Sequence, residues 1–173
     1  MSGMKVTKDR TAAVLAAIKA LTKDRVLVGI PSEKAYRAPE PDEPLPDINN
    51  AEIGYLNEFG MPEIGLPARP HLVPGIRRAL PKIEKAYRDA AVKALDGDQA
   101  AVQAAETKIG FLATSSVKSL IADGLAPPLS ERTVAERKRR GVTRTNPLQD
   151  SGQYRNNIDF VIRPAKGVKR VGE

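Results

Sequence analysis

His71 is the only histidine in the chain, so Ser–His–acid catalysis or a histidine-bound metal would have to pass through it. It stands in Pro67-Ala68-Arg69-Pro70-His71-Leu72, a segment stiffened by two prolines. No Gly-X-Ser-X-Gly turn accompanies it to present a nucleophile. A metal held by His71 with Glu58 or Glu63 would have no second histidine and no carboxylate cluster at ligand spacing. Glu52 and Glu58 are six residues apart and point to different faces of a helix, so they do not form an acid/base pair. Phosphate-cradling glycine motifs are also missing. The sequence argues against an enzyme, and we expect no cofactor, metal or small-molecule substrate; His71 is read as structural or surface.

The strongest charged feature is Arg137-Lys138-Arg139-Arg140, with Arg132 about one turn earlier. Such a cluster neutralises phosphates or an acidic protein surface, or simply decorates a solvated helix end where cations suit the dipole. No aromatic residue interleaves it, which disfavours a base-stacking platform. Residues 125–173 hold eleven Lys/Arg against five Asp/Glu, and residues 1–124 hold seventeen against sixteen. The net charge of +7 is therefore a property of the C-terminal third.

Several elements must position these groups. Val14, Leu15, Ile18 and Leu21 share one helical face between Asp9 and Lys23. Val26-Leu27-Val28-Gly29-Ile30 reads as a buried strand closed by Pro31. Four prolines alternate with acids between Arg37 and Asp47, which predicts an extended acidic loop over 37–48. A short helix from about Ala51 ends at Asn57-Glu58-Phe59-Gly60, where the glycine suits a positive-φ cap. Pro74 fits the first turn of a long helix running to Leu95, with Ile76, Leu80, Ile83, Tyr87 and Ala91 on one face. Pro81 predicts a kink in it or a later start. A second helix, Asp98 to Ala122, carries Val102, Ala105, Ile109, Leu112, Ser116 and Leu120 in line. Alanines 90, 91, 94, 100, 101, 104 and 105 would let the two axes approach closely as a hairpin. Ser130 caps a short basic helix, Pro147 to Gly152 forms a turn, and Ile158, Phe160 and Ile162 alternate as a strand.

This order predicts an α+β fold: a small antiparallel sheet packed against a long helical hairpin, with an N-terminal helix and a short basic helix. We expect one domain over 1–163 and a basic tail over 164–173. A third strand could lie near Met61 to Leu66, on the flanks of the Pro-rich loop, or in a neighbouring subunit, because two strands alone make a marginal sheet. The 41% apolar content supports a folded core, and the lack of cysteine excludes a disulfide scaffold. No apolar run reaches the roughly 20 residues of a membrane helix.

In this order the segments resemble the tail-completion, or neck, proteins of tailed bacteriophages. The likeness rests on Val26 to Pro31, Ala51-Glu52-Ile53-Gly54 through Gly60, and Ile64 to Leu72. It continues with Pro127-Pro128-Leu129-Ser130 plus Thr133, Arg137 and Lys138, and ends with Pro147 to Gln153. The chain departs from the family pattern where His71 replaces an aromatic residue and Ser151 a threonine, and its Pro-rich loop is longer. The resemblance implies a non-enzymatic part of the virion neck, made in the host cytoplasm. It would assemble as a ring, a hexamer or dodecamer, between the portal or adaptor and the tail terminator or tail tube. Candidate protein-interface residues are Glu58, Phe59, Arg69, His71, Arg132, Arg137, Lys138, Arg139 and Arg140. The alternative is a basic nucleic-acid-binding accessory protein using the 132–140 cluster; non-specific contact with DNA in the conduit fits both readings.

Overall fold

The computed structural model describes residues 9–39 and 48–165. Most of the Pro-rich loop and nearly all of the basic tail lie outside the described residues. Helix α1 (Thr11–Lys23) runs directly into strand β1 (Asp24–Gly29), and α2 (Asn50–Phe59) follows. Helices α3 (Leu72–Leu95) and α4 (Ala100–Asp123) form the long hairpin; α5 (Glu131–Arg139), α6 (Gln153–Asn157) and β2 (Asp159–Pro164) complete the chain. The architecture is α+β: β1 and β2 pair antiparallel and pack on the α3–α4 hairpin.

The hairpin is held by small residues. On α3 the buried stripe is Gly75, Ala79, Ile83, Ala86, Ala90 and Ala94; on α4 it includes Val102, Ala105, Ile109, Ala113, Val117 and Ile121. The expected stripes are thus rotated by about one residue. Leu80 is exposed, Ala91 is only half-buried, and Ala113, Val117 and Ile121 take the places given to Leu112, Ser116 and Leu120. Close axes select alanine and glycine for the contact line and leave bulkier residues to flank it. Ile76, Tyr87 and Leu112 flank the first core cluster, together with Val26 and Val28 from β1.

Other departures have equally local causes. Helix α3 begins before Pro74, and Pro81 is inside it on an exposed position rather than delaying its start. On α1 the buried residue is Ala17, which packs on Ala94 and Val102; Leu21 flanks that contact, while Val14, Leu15 and Ile18 are exposed. The apolar face read from the sequence is therefore only partly the face α1 turns to the hairpin. Met61 and Leu66 form one isolated bridge around a tight turn, so that segment is not a third strand. Pro164 closes β2 and the Ala165 N–H donates to the Lys23 carbonyl at 2.8 Å, so the first residues assigned to the tail belong to the sheet. Helix α6, five residues long, was not expected.

Candidate functional site: a buried polar node and its basic rim

The Asn57–Gly60 and Pro67–Leu72 segments meet where α2 ends and α3 begins. Asn49 caps α2, accepting from the Ala51 and Glu52 N–H groups, while Glu52 accepts from the Asn49 N–H at 2.7 Å. This capping box fixes the start of α2. At its end Gly60 has φ 76°, and a Cβ there would stand 2.6 Å from the Ala68 nitrogen, so only glycine fits. The returning chain is pinned by the Arg69 N–H donating to the Asn57 carbonyl at 2.6 Å.

This return places the Glu58 carboxylate at the N-terminus of α3. It accepts from the N–H groups of His71 (2.7 Å), Leu72 (2.9 Å) and Val73 (3.1 Å). Those donors have no intrahelical partner, and the helix dipole favours an anion there. Burial pushes the Glu58 carboxyl up, but the three backbone bonds and nearby His71 outweigh it and hold the group below its ordinary range. A carboxylate brought from another helix thus nucleates α3, which explains how that helix starts ahead of Pro74.

His71 is fully buried. Its Nδ1 meets the Arg69 carbonyl at 2.9 Å, an acceptor only, so Nδ1 carries the proton. Nε2 then accepts from the Tyr154 hydroxyl. Burial lowers the His71 pKa more than the Arg69 carbonyl and Glu58 raise it, so the ring is neutral at pH 7. Tyr154 is raised, chiefly by burial and then by Glu58, and stays a hydroxyl. Its ring lies against Gly54, where a Cβ would be 2.8 Å from the phenolic oxygen; α2 carries glycine at the point of contact. The buried Arg69 donates from Nε to the Pro127 carbonyl (2.8 Å) and from a terminal nitrogen to that of Pro128 (3.1 Å). Four distant segments are tied together here, around a cleft of about 620 Å³ bordered by Asn57, Arg69, Pro127, Arg137, Leu148 and Tyr154.

The basic cluster divides. Arg137, read as exposed, is buried: it donates to the carbonyls of Arg144 (3.1 Å) and Asn146 (2.9 Å) and stands 3.6 Å from the Asp150 carboxylate. Arg140 pairs with the same carboxylate at 2.8 Å, and Arg144 donates to the Gln149 and Asp150 carbonyls. These arginines staple the Pro147–Gly152 turn onto α5. Arg132, Lys138 and Arg139 are exposed on α5; Arg139 pairs with Glu136 at 3.1 Å in solvent. Phe59 is 66% exposed and contacts Tyr55, with ring centroids 4.9 Å apart.

The nine interface candidates therefore fall into two sets. Glu58, Arg69 and Arg137 are buried, so their side chains are corrected from surface to scaffold, and the buried His71 takes the structural one of its two readings. Phe59, Arg132, Lys138 and Arg139 are exposed, with Arg140 at the edge of its ion pair. Glu63 is exposed while His71 is not, and both oxygens of Glu58 are already committed. No group of three potential metal ligands occurs among the described residues. Sequence reading missed Tyr154, which has no local signal 83 residues from His71. It also missed the capping box, which Asn49 and Glu52 spell out in the pattern of residue types. Comparisons with protein families, curated proteins and solved structures find no match to this chain.

Proposed function

We propose that this protein is a structural component of the head–tail junction of a tailed bacteriophage, working as one subunit of a ring. One observation carries the reading. The segments on which the resemblance rests lie far apart in sequence, yet those at 51–60, 64–72, 127–130 and 147–153 border one cleft, and the first three meet at the node beside it. Their buried polar side chains are spent on backbone and side-chain groups of the same chain, which is how a rigid building block is made. The exposed groups that would serve an assembly surface are Tyr55 and Phe59 on α2, and Arg132, Lys138 and Arg139 on α5. Apolar anchors with charged surroundings are what stable protein contacts use. Heterologous contacts that close on rotation generate rings.

Imaging the purified protein by negative stain, alone and mixed with a virion extract, tests the proposal. Closed rings, or density added at the neck, are expected. The nucleic-acid alternative is separated by mobility shifts at two salt concentrations, since phosphate binding weakens steeply with salt. It is the weaker reading because Arg137 and Arg140 are engaged by Asp150 and the neighbouring turn. A protein that forms no ring with virion components, but binds DNA tightly at low salt and loses it at high salt, would replace the first reading with the second.

A further inference from the structure

The register of the sheet shows which backbone groups face outward. Ala165 donates to the Lys23 carbonyl, and the pairing continues without a bulge through Arg25–Arg163, Leu27–Val161 and Gly29–Asp159. In antiparallel pairing such positions alternate between bonded and non-bonded. These pairs are therefore the hydrogen-bonded ones, and the N–H and C=O groups of Val26 and Val28 point away from β2. On the other strand Phe160, Ile162 and Pro164 point away from β1.

The two edges are not equivalent. On β2, the Phe160 N–H is taken by the Asp159 carboxylate at 2.8 Å, and Pro164 has no N–H to offer. Proline and local capping are ways of blunting an edge. On β1 no described residue outside the sheet bonds to the backbone of Val26 or Val28. The outer face adds a charge signal. Arg25 and Arg163 are exposed directly opposite each other, and neither has an ion pair within 4 Å among the described residues, Glu33 acting on Arg163 only from further away. Like charges in that position repel. Beside them Leu27, paired with Val161, is 50% exposed.

We propose that the outward edge of β1 is a strand-addition site for an extended, acidic segment of a partner protein. The partner's main chain would bond to Val26 and Val28, the mode of β-augmentation. An acidic side chain of that strand would sit beside Arg25, with Arg163 one strand further on, and the aliphatic stem of the next residue on that face would lie beside Leu27. A second copy of β1 is a poorer occupant: the antiparallel registers that bring the outward groups of two β1 strands together place Arg25 against Leu27, Gly29, Pro31 or a second Arg25, never against an acid. The proposal stands independently of the head–tail reading.

The test titrates the full-length, nitrogen-15-labelled chain with a synthetic heptapeptide, Thr-Val-Glu-Val-Glu-Val-Thr, and with its counterpart carrying Lys for Glu. The acidic peptide is expected to shift the Val26 and Val28 amide signals and slow their hydrogen exchange. The double variant Arg25→Glu/Arg163→Glu should bind it at least about tenfold more weakly and prefer the basic peptide, because charge complementarity sets the choice. Arg163→Gln, a milder change, should weaken it in the same direction. Binding of both peptides alike, shifts confined to other elements, or no binding at millimolar peptide would overturn the proposal. So would Val26 and Val28 protection that rises with protein concentration in the absence of peptide, since a second copy would then hold the edge.

Discussion

Glu58 and Glu106 are both buried carboxylates, at 7% and 2% exposure, and the chain treats them in opposite ways. Glu58 receives three backbone N–H groups at the start of α3 and is held below its ordinary pKa. Glu106, on α4, has an Oε1 with no hydrogen-bond partner among the described residues; burial first, and then Asp24, push its pKa up, with Lys23 opposing them only in part. The contrast separates a charge placed where unpaired donors already exist from one placed where none do. Low polarity strengthens the first and penalises the second. The node around Glu58 is where the chain fixes its shape, whereas Glu106 is a local cost that the hairpin carries.

The largest effect is expected from Glu58→Ala. It would leave three N–H groups of α3 without their acceptor and should destabilise the protein by about 3 kcal/mol in urea unfolding. A loss below about 1 kcal/mol would erase the contrast. Arg69→Lys comes next. A lysine cannot span the Pro127 and Pro128 carbonyls with a planar fork, and a loss of about 2 kcal/mol is expected. Glu106→Leu should go the other way, gaining about 1 kcal/mol at pH 7 by removing a buried carboxylate that Lys23 compensates only in part. A loss there would mean that Glu106 has a stabilising role.

Acidity sharpens the same comparison. His71 has a lowered pKa in the native state, so the stability it confers is complete above its ordinary value of 6.5 and is lost as pH falls below it. Glu58 follows, its contribution complete above 4.5 and lost as pH falls through its lower native value. Glu106 has a raised pKa, so its penalty appears as pH rises above 4.5. Thermal melts between pH 3 and 8 should therefore show a shallower acid limb in Glu58→Gln. Glu106→Gln should show a higher neutral side. The smallest stability effect belongs to Lys138→Glu/Arg139→Glu, within about 0.5 kcal/mol, because both side chains are solvated.

Periodicity and turn chemistry were enough for strands β1 and β2, the hairpin and the Ser130 cap, because each is written in neighbouring residues, whereas the third strand looked for near Met61 to Leu66 is a single bridge. The rotation of the α3 and α4 stripes was not legible. Which face is buried depends on how near the axes come, and that follows from Gly75 and the alanines acting together. The site was legible only in part. Asn57-Glu58-Phe59-Gly60 and Pro67-Ala68-Arg69-Pro70 marked the right places, but residue type alone does not tell a surface arginine from one aimed at carbonyls 58 residues away. Arg137 misled for the same reason: its neighbours in sequence are exposed cations, and its partners are turn carbonyls beyond the end of its own helix.

In the proposed neck role the buried node would make a rigid subunit and the exposed α5 cations would make the joint. That role is tested most directly by adding purified protein to filled, tailless capsids and separate tails and counting infectious particles. Joining is expected with the native chain, and loss of joining with Lys138→Glu/Arg139→Glu at an unchanged unfolding midpoint. Native protein that never joins heads to tails, or a folded double variant that joins them as well as the native chain, would contradict it.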